Sequence, residues 1–179
     1  GLQLTTGGYN IAVGYHAGYN NETGVYNVHI GYQAGKGAAS NSANTNTFVG
    51  YKAGFDVTSG GDNVAVGGGT LENITSGGSN VVVGNYAGAA LTNTSKVTLV
   101  GRLAGNAINT TDADGTVAIG YEAGKSITSG ARQTFLGYQA GYSTTTGQEN
   151  VFIGYQAGYS NLDNHANIYI GKQVAYNVA

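Results

Sequence analysis

The chain has 179 residues, with 32 glycines and no proline, cysteine, methionine or tryptophan. Only 9% of the residues are charged and the formal net charge is -2, so clustered Lys and Arg to neutralise nucleic-acid phosphates or an anionic membrane are lacking. Without cysteine there are no disulfides or thiolate metal sites, and no apolar run is long enough to insert in a membrane as a spanning helix.

One glycine recurs through the chain, at Gly14, Gly31, Gly50, Gly67, Gly84, Gly101, Gly120, Gly137, Gly154 and Gly171. The steps are 17 residues except for two of 19, which end at Gly50 and Gly120 and suggest a higher-order duplication. A fixed short period means a stack of like units, each leaning on its neighbours. Residues 1–179 therefore read as a single β-solenoid repeat domain. The aliphatic residue that directly precedes this glycine in every coil argues against a disordered Gly/Ser/Asn-rich segment.

The first full coil reads Asn10-Ile11-Ala12-Val13-Gly14-Tyr15-His16-Ala17-Gly18, and later coils keep this frame. Asparagine opens the motif in seven coils: Asn10, Asn27, Asn46, Asn63, Asn80, Asn150 and Asn167. Two readings of that column stand: amides passing hydrogen bonds from coil to coil, or residues suited to a turn before a strand. Next come β-branched residues three before the glycine (Ile11, Val28, Thr47 and onward) and aliphatic residues just before it (Val13, Ile30, Val49 and onward). Spacing of two predicts a strand, with both columns expected to point into the coil. After the glycine, Ala-Gly pairs such as Ala17-Gly18 mark one corner. Apolar residues seven on, such as Val57, Ile74 and Leu91, predict a second short strand. Thr-Gly and Ser-Gly pairs such as Thr23-Gly24 and Ser59-Gly60 mark the opposite corner, where the two long coils carry their extra residues. Ten parallel coils make a rod of roughly 48 Å.

The residue two before the glycine is expected to face outward, yet it includes Phe48, Val82, Leu99, Phe135, Phe152 and Tyr169. An apolar stripe along a rod is an expected interface with further copies around a cyclic axis. The alternative is that each coil buries both faces, or that a bulge breaks the strand parity. A tyrosine column follows the glycine, at Tyr15, Tyr32, Tyr51, Tyr121, Tyr138 and Tyr155, with a looser one at Tyr19, Phe55, Tyr142, Tyr159 and Tyr176. Tyrosines in such columns either face a ligand or pack on one another along the rod, and packing is the favoured reading.

The motif Asn-Val-x-Ile-Gly-Tyr-x-Ala-Gly, as in residues 27–35 and 150–158, resembles the head repeats of trimeric autotransporter adhesins and related repeats of phage tail fibres and bacterial surface proteins. The resemblance implies a left-handed parallel β-roll and three chains packed side by side. It also implies an extracellular place, on a cell surface or virion fibre, where the fibre binds host carbohydrate, matrix protein or other cells. These coils are longer than the usual adhesin head repeat. No coiled-coil stalk, membrane anchor or tail-fibre chaperone domain is read, so the chain is expected to be a piece or subunit of a larger fibre. The last coil, Gly171-Lys172-Gln173-Val174-Ala175, drops the signature and reads as an end coil or a junction.

Enzymatic chemistry finds no support: the nine acidic residues never occupy one column in adjacent coils, and His16, His29 and His165 fall in different columns. No cofactor or metal is expected. Asp112-Ala113-Asp114-Gly115 offers oxygen ligands for calcium but reads as a solvated loop, and the Asn-x-Ser/Thr sequons at Asn21, Asn73, Asn93 and Asn109 match chance. The expectation is an all-β parallel solenoid acting as a structural rod segment of an adhesive or receptor-binding fibre, self-associating as a trimer. Its rivals are a subunit of a head-to-tail filament and a monomeric ice binder using the Ser/Thr column that includes Thr23, Ser59 and Thr146.

Overall fold

The computed structural model describes residues 6–177. It is an all-β parallel solenoid with ten three-residue strands: β1 (Ile11–Val13), β2 (Val28–Ile30), β3 (Thr47–Val49), β4 (Val64–Val66), β5 (Val81–Val83), β6 (Thr98–Val100), β7 (Val117–Ile119), β8 (Thr134–Leu136), β9 (Val151–Ile153) and β10 (Ile168–Ile170). They form one sheet in chain order. Every pair is parallel and in register, so each motif position pairs with itself in the next coil, as Phe135 with Phe152. The register passes unchanged across the two long coils, where Val28 pairs with Thr47 and Thr98 with Val117. The extra residues are absorbed at the far corner, the second time with a 3-10 turn at Thr111–Ala113.

The repeated glycine closes each strand. Its φ is +132° at Gly14 and stays between +130° and +141° in all ten coils. A Cβ at Gly14 would strike the carbonyl of Gly31 in the next coil. Both facts demand glycine here, because only a residue without Cβ takes this turn with a neighbour stacked at strand distance.

Strand parity is the reverse of the expected one. The central residue of each strand points inward: Phe48, Val82, Leu99, Phe135 and Phe152 are fully buried, and Tyr169 packs against the same core. The flanking β-branched columns point out, as Val64, Val66, Val81 and Val83 show with 37, 38, 43 and 36% exposure. A three-residue strand gives its two flanks to one face and its centre to the other. The interior of so short a coil has room for one strand side chain, an alanine from the first corner such as Ala53 or Ala140, and one residue from the far side such as Val57 or Ile127.

In several coils these interior residues trade volume. Phe135 and Phe152 share their coils with Thr144 and Asn161, whereas Ala65 and Ala118 share theirs with Ile74 and Ile127, all of them buried. The second corner glycine packs against the strand centre of its coil. A Cβ at Gly141 or Gly158 would lie 2.5 Å from the ring of Phe135 or Phe152. Where the strand centre is Ala65, that corner holds Leu71, fully buried at φ +51°.

The second strand expected on the far side is replaced by turns and bends. Its main-chain groups still bond from coil to coil, as Thr58 N–H donating to Thr75 O at 2.9 Å. The one bridge there among the described residues joins Asn21 and Asn41.

Of the two readings of the asparagine column, the structure shows the ladder. Asn63 donates from Nδ2 to Asn46 Oδ1 at 3.0 Å and to Gly77 O at 2.9 Å. Its own Oδ1 accepts from Asn80 N–H at 3.1 Å and Asn80 Nδ2 at 2.9 Å. The ladder lapses at Val97 and Thr116 and resumes at Gln133, whose Oε1 accepts from Asn150 N–H at 3.0 Å.

Candidate functional site

Two surfaces of the rod stand out, and both follow from the strand and its turn. The first is the outer sheet face. Its two columns of Val, Ile, Thr and Leu run the length of all ten strands, with Ile11, Val13, Ile30 and Leu136 exposed by 55, 58, 39 and 45%. A contiguous apolar strip about 48 Å long is more than a soluble monomer ordinarily leaves to water. The interface expected of Phe48, Val82, Leu99, Phe135, Phe152 and Tyr169 therefore cannot be formed by those side chains, which serve the core of a single coil stack. The stripe exists, but on the neighbouring columns.

The second surface is the corner after the repeated glycine. Tyr15, Tyr32 and Tyr51 stack with ring centroids 5.3 and 5.4 Å apart, and Tyr121, Tyr138 and Tyr155 stack at 5.2 and 5.3 Å. Tyr142, Tyr159 and Tyr176 form a parallel stack at 4.9 Å. The rings spend their faces on one another and offer their edges to solvent, the packing arrangement favoured for this column. At one end of the second stack the Arg102 guanidinium lies 5.7 Å from the Tyr121 centroid.

Between the tyrosine stacks runs a polar line. Gln173 donates to Gln156 at 3.1 Å, Gln156 to Gln139 at 2.8 Å, and Gln139 to Glu122 Oε2 at 2.8 Å. Lys125 Nζ closes it with a 3.0 Å ion pair to Glu122 Oε1. Burial pushes the Glu122 carboxyl up, but the bonds from Gln139 and Lys125 and the nearby cationic charges outweigh it and hold the group below its ordinary range. Farther toward the N-terminus, Phe55 has the ammonium groups of Lys36 and Lys52 each 4.9 Å from its centroid. Lys52 also pairs with Glu72 at 3.4 Å, and burial together with Glu72 raises the Asp56 carboxyl. The Lys52–Glu72 and Glu122–Lys125 pairs and the glutamine line tie neighbouring side chains together along the rod.

Among the described residues no three His, Asp or Glu side chains converge to hold a metal ion. Asp114 in the longer loop uses Oδ1 to accept from Ser95 N–H at 2.7 Å. The histidines lie apart: His16 stacks on Tyr15 at 4.0 Å, His165 accepts from Gln148 N–H at 3.2 Å, and His29 is buried against Phe48 at 5.4 Å. Burial lowers the His29 pKa to about 4. On the far corner, the threonines preceding the Ser/Thr column lie on bends and give their hydroxyls to the next coil, as Thr58 to Thr75 O at 3.0 Å and Thr75 to Thr92 O at 3.1 Å.

The chain matches no protein-family model, no curated protein and no solved structure.

Proposed function

We propose that this chain is a structural rod segment of an extracellular fibre, with copies associating side by side through the outer sheet face, and that the fibre mediates adhesion or receptor binding. The observation that carries the reading is the exposed valine and isoleucine face, which runs from β1 to β10 without a charged residue in either column. A flat apolar strip parallel to the rod axis is buried most simply by other copies of itself, and closed cyclic symmetry covers every strip at once. Three copies, with left-handed coils, are what the resemblance to adhesin head repeats adds. In such a trimer the three sheets face a common axis and the tyrosine corners and far loops face out, where a host carbohydrate or matrix protein would be met. Light scattering on a sizing column tests this directly. A mass near three chains of 18.1 kDa is expected, and a single-chain mass would remove the assembly.

A further inference from the structure

The tyrosine column after the repeated glycine is interrupted once by loss of the side chain altogether. Tyr51 is followed in the next coil by Gly68, with Gly69 beside it, and the column then continues with Asn85. Every other level carries a side chain. One missing rung leaves roughly 10 Å, two strand spacings, between the Tyr51 and Asn85 levels. A Cβ built on Gly68 would meet the Asn85 side-chain nitrogen at 2.9 Å, so the Asn85 amide forms the floor of this notch.

The surroundings are mixed in character. Tyr51 is 53% exposed and has a ring partner on one side only, Tyr32. Lys52 Nζ stands 5.7 Å from the Tyr51 centroid and bonds Glu72 Oε1 at 3.4 Å, so the two charges offset each other. Asn85 Nδ2 donates to Gly68 O at 3.2 Å, leaving its Oδ1 available. The Tyr86 ring lies over Gly69, where a Cβ would come within 2.5 Å of it, and forms the side wall.

We infer that this notch takes one pyranose ring of a saccharide, its apolar C–H face laid on Tyr51 and its hydroxyls met by Lys52, Glu72 and Asn85. An aromatic platform rimmed by a few donors and acceptors suits a ring that is apolar on its faces and polar at its edge. The balanced ion pair gives no preference for an anionic sugar. Tyrosines inside a stack, such as Tyr32 and Tyr138, cannot serve in the same way, because a neighbouring ring covers each face. The inference rests on the adhesive half of the function proposed above and is independent of the assembly.

The test is saturation-transfer NMR with methyl β-glucopyranoside, methyl β-galactopyranoside and methyl N-acetyl-β-glucosaminide, on the wild type, Gly68→Tyr and Tyr51→Ala. Gly68 lies outside the left-handed region, and tyrosine fills the equivalent position in six other coils, so Gly68→Tyr supplies the missing rung without backbone strain. At least one probe is expected to bind the wild type, and to bind both variants roughly tenfold more weakly or worse. Absence of binding by all three probes, or equal binding to Gly68→Tyr, would overturn the site. Light scattering on the same samples keeps the two proposals apart: a single-chain mass with this binding pattern would remove the fibre and retain the sugar site.

Discussion

Asn63 shows how much of the cohesion rests on single side chains. Its amide makes two donor and two acceptor bonds between Asn46 and Asn80, all three fully buried. Asn63→Ala removes them and leaves the Asn80 amide groups without their acceptor, so a loss of roughly 2–4 kcal/mol is expected in urea unfolding. His29 makes a prediction of a different kind. Its folded pKa of about 4 lies below the unfolded 6.5, so the unfolded chain binds the extra proton first as pH falls. The stability tied to neutral His29 is complete above pH 6.5 and is lost on descending toward 4, by about 3 kcal/mol. His29→Phe, which keeps a ring against Phe48, should flatten that part of the stability–pH curve; an unchanged slope would mean the imidazole is not buried as described. The asparagine column was visible in the sequence, but choosing ladder over turn required the side-chain geometry. The burial of His29 was hidden because its column was assigned to the outside.

Within one coil, the sequence carried the period, the strand, both corners and the place of the insertions. It misplaced the inside. Val-x-Ile alternation looks the same whether the flanks or the centre face inward, because Val, Ala, Phe and Ile are acceptable on either side. Part of the missing signal was present as reciprocal volume: Phe135 and Phe152 accompany the small Thr144 and Asn161, whereas Ala65 and Ala118 accompany Ile74 and Ile127. The second strand failed for a related reason, since the buried residues seven on lie singly among turns and never form a strand of their own. The same packing gives an element-scale prediction. Gly141→Ala combines a φ of +61° with a Cβ driven into the Phe135 ring, and should cost about 2–4 kcal/mol by chemical denaturation. A loss below about 1 kcal/mol would show that the Phe135 ring has room to move.

At the scale of the whole molecule, a repeat stack buries its inner columns by itself and leaves one flat face over. The candidate surface was legible as a stripe but not in its columns, because the sequence reading placed the buried strand centres on the outside and the exposed flanks inside the coil. That exchange separates two classes of substitution. Phe135→Asp places an unpaired carboxylate in the core and should unfold the neighbouring coils, with loss of the β signal in circular dichroism. Val66→Asp with Val83→Asp puts charge on two adjacent, exposed rungs and should leave the fold of each chain largely unaltered. The most direct measurement is therefore the light-scattering mass of the Val66→Asp/Val83→Asp double variant beside the wild type. The wild type is expected near three chains and the variant at one chain of 18.1 kDa, with the β signal kept. A multimer of unchanged mass in the variant, or a single-chain wild type, would contradict the assignment of the outer sheet face as the surface that joins copies.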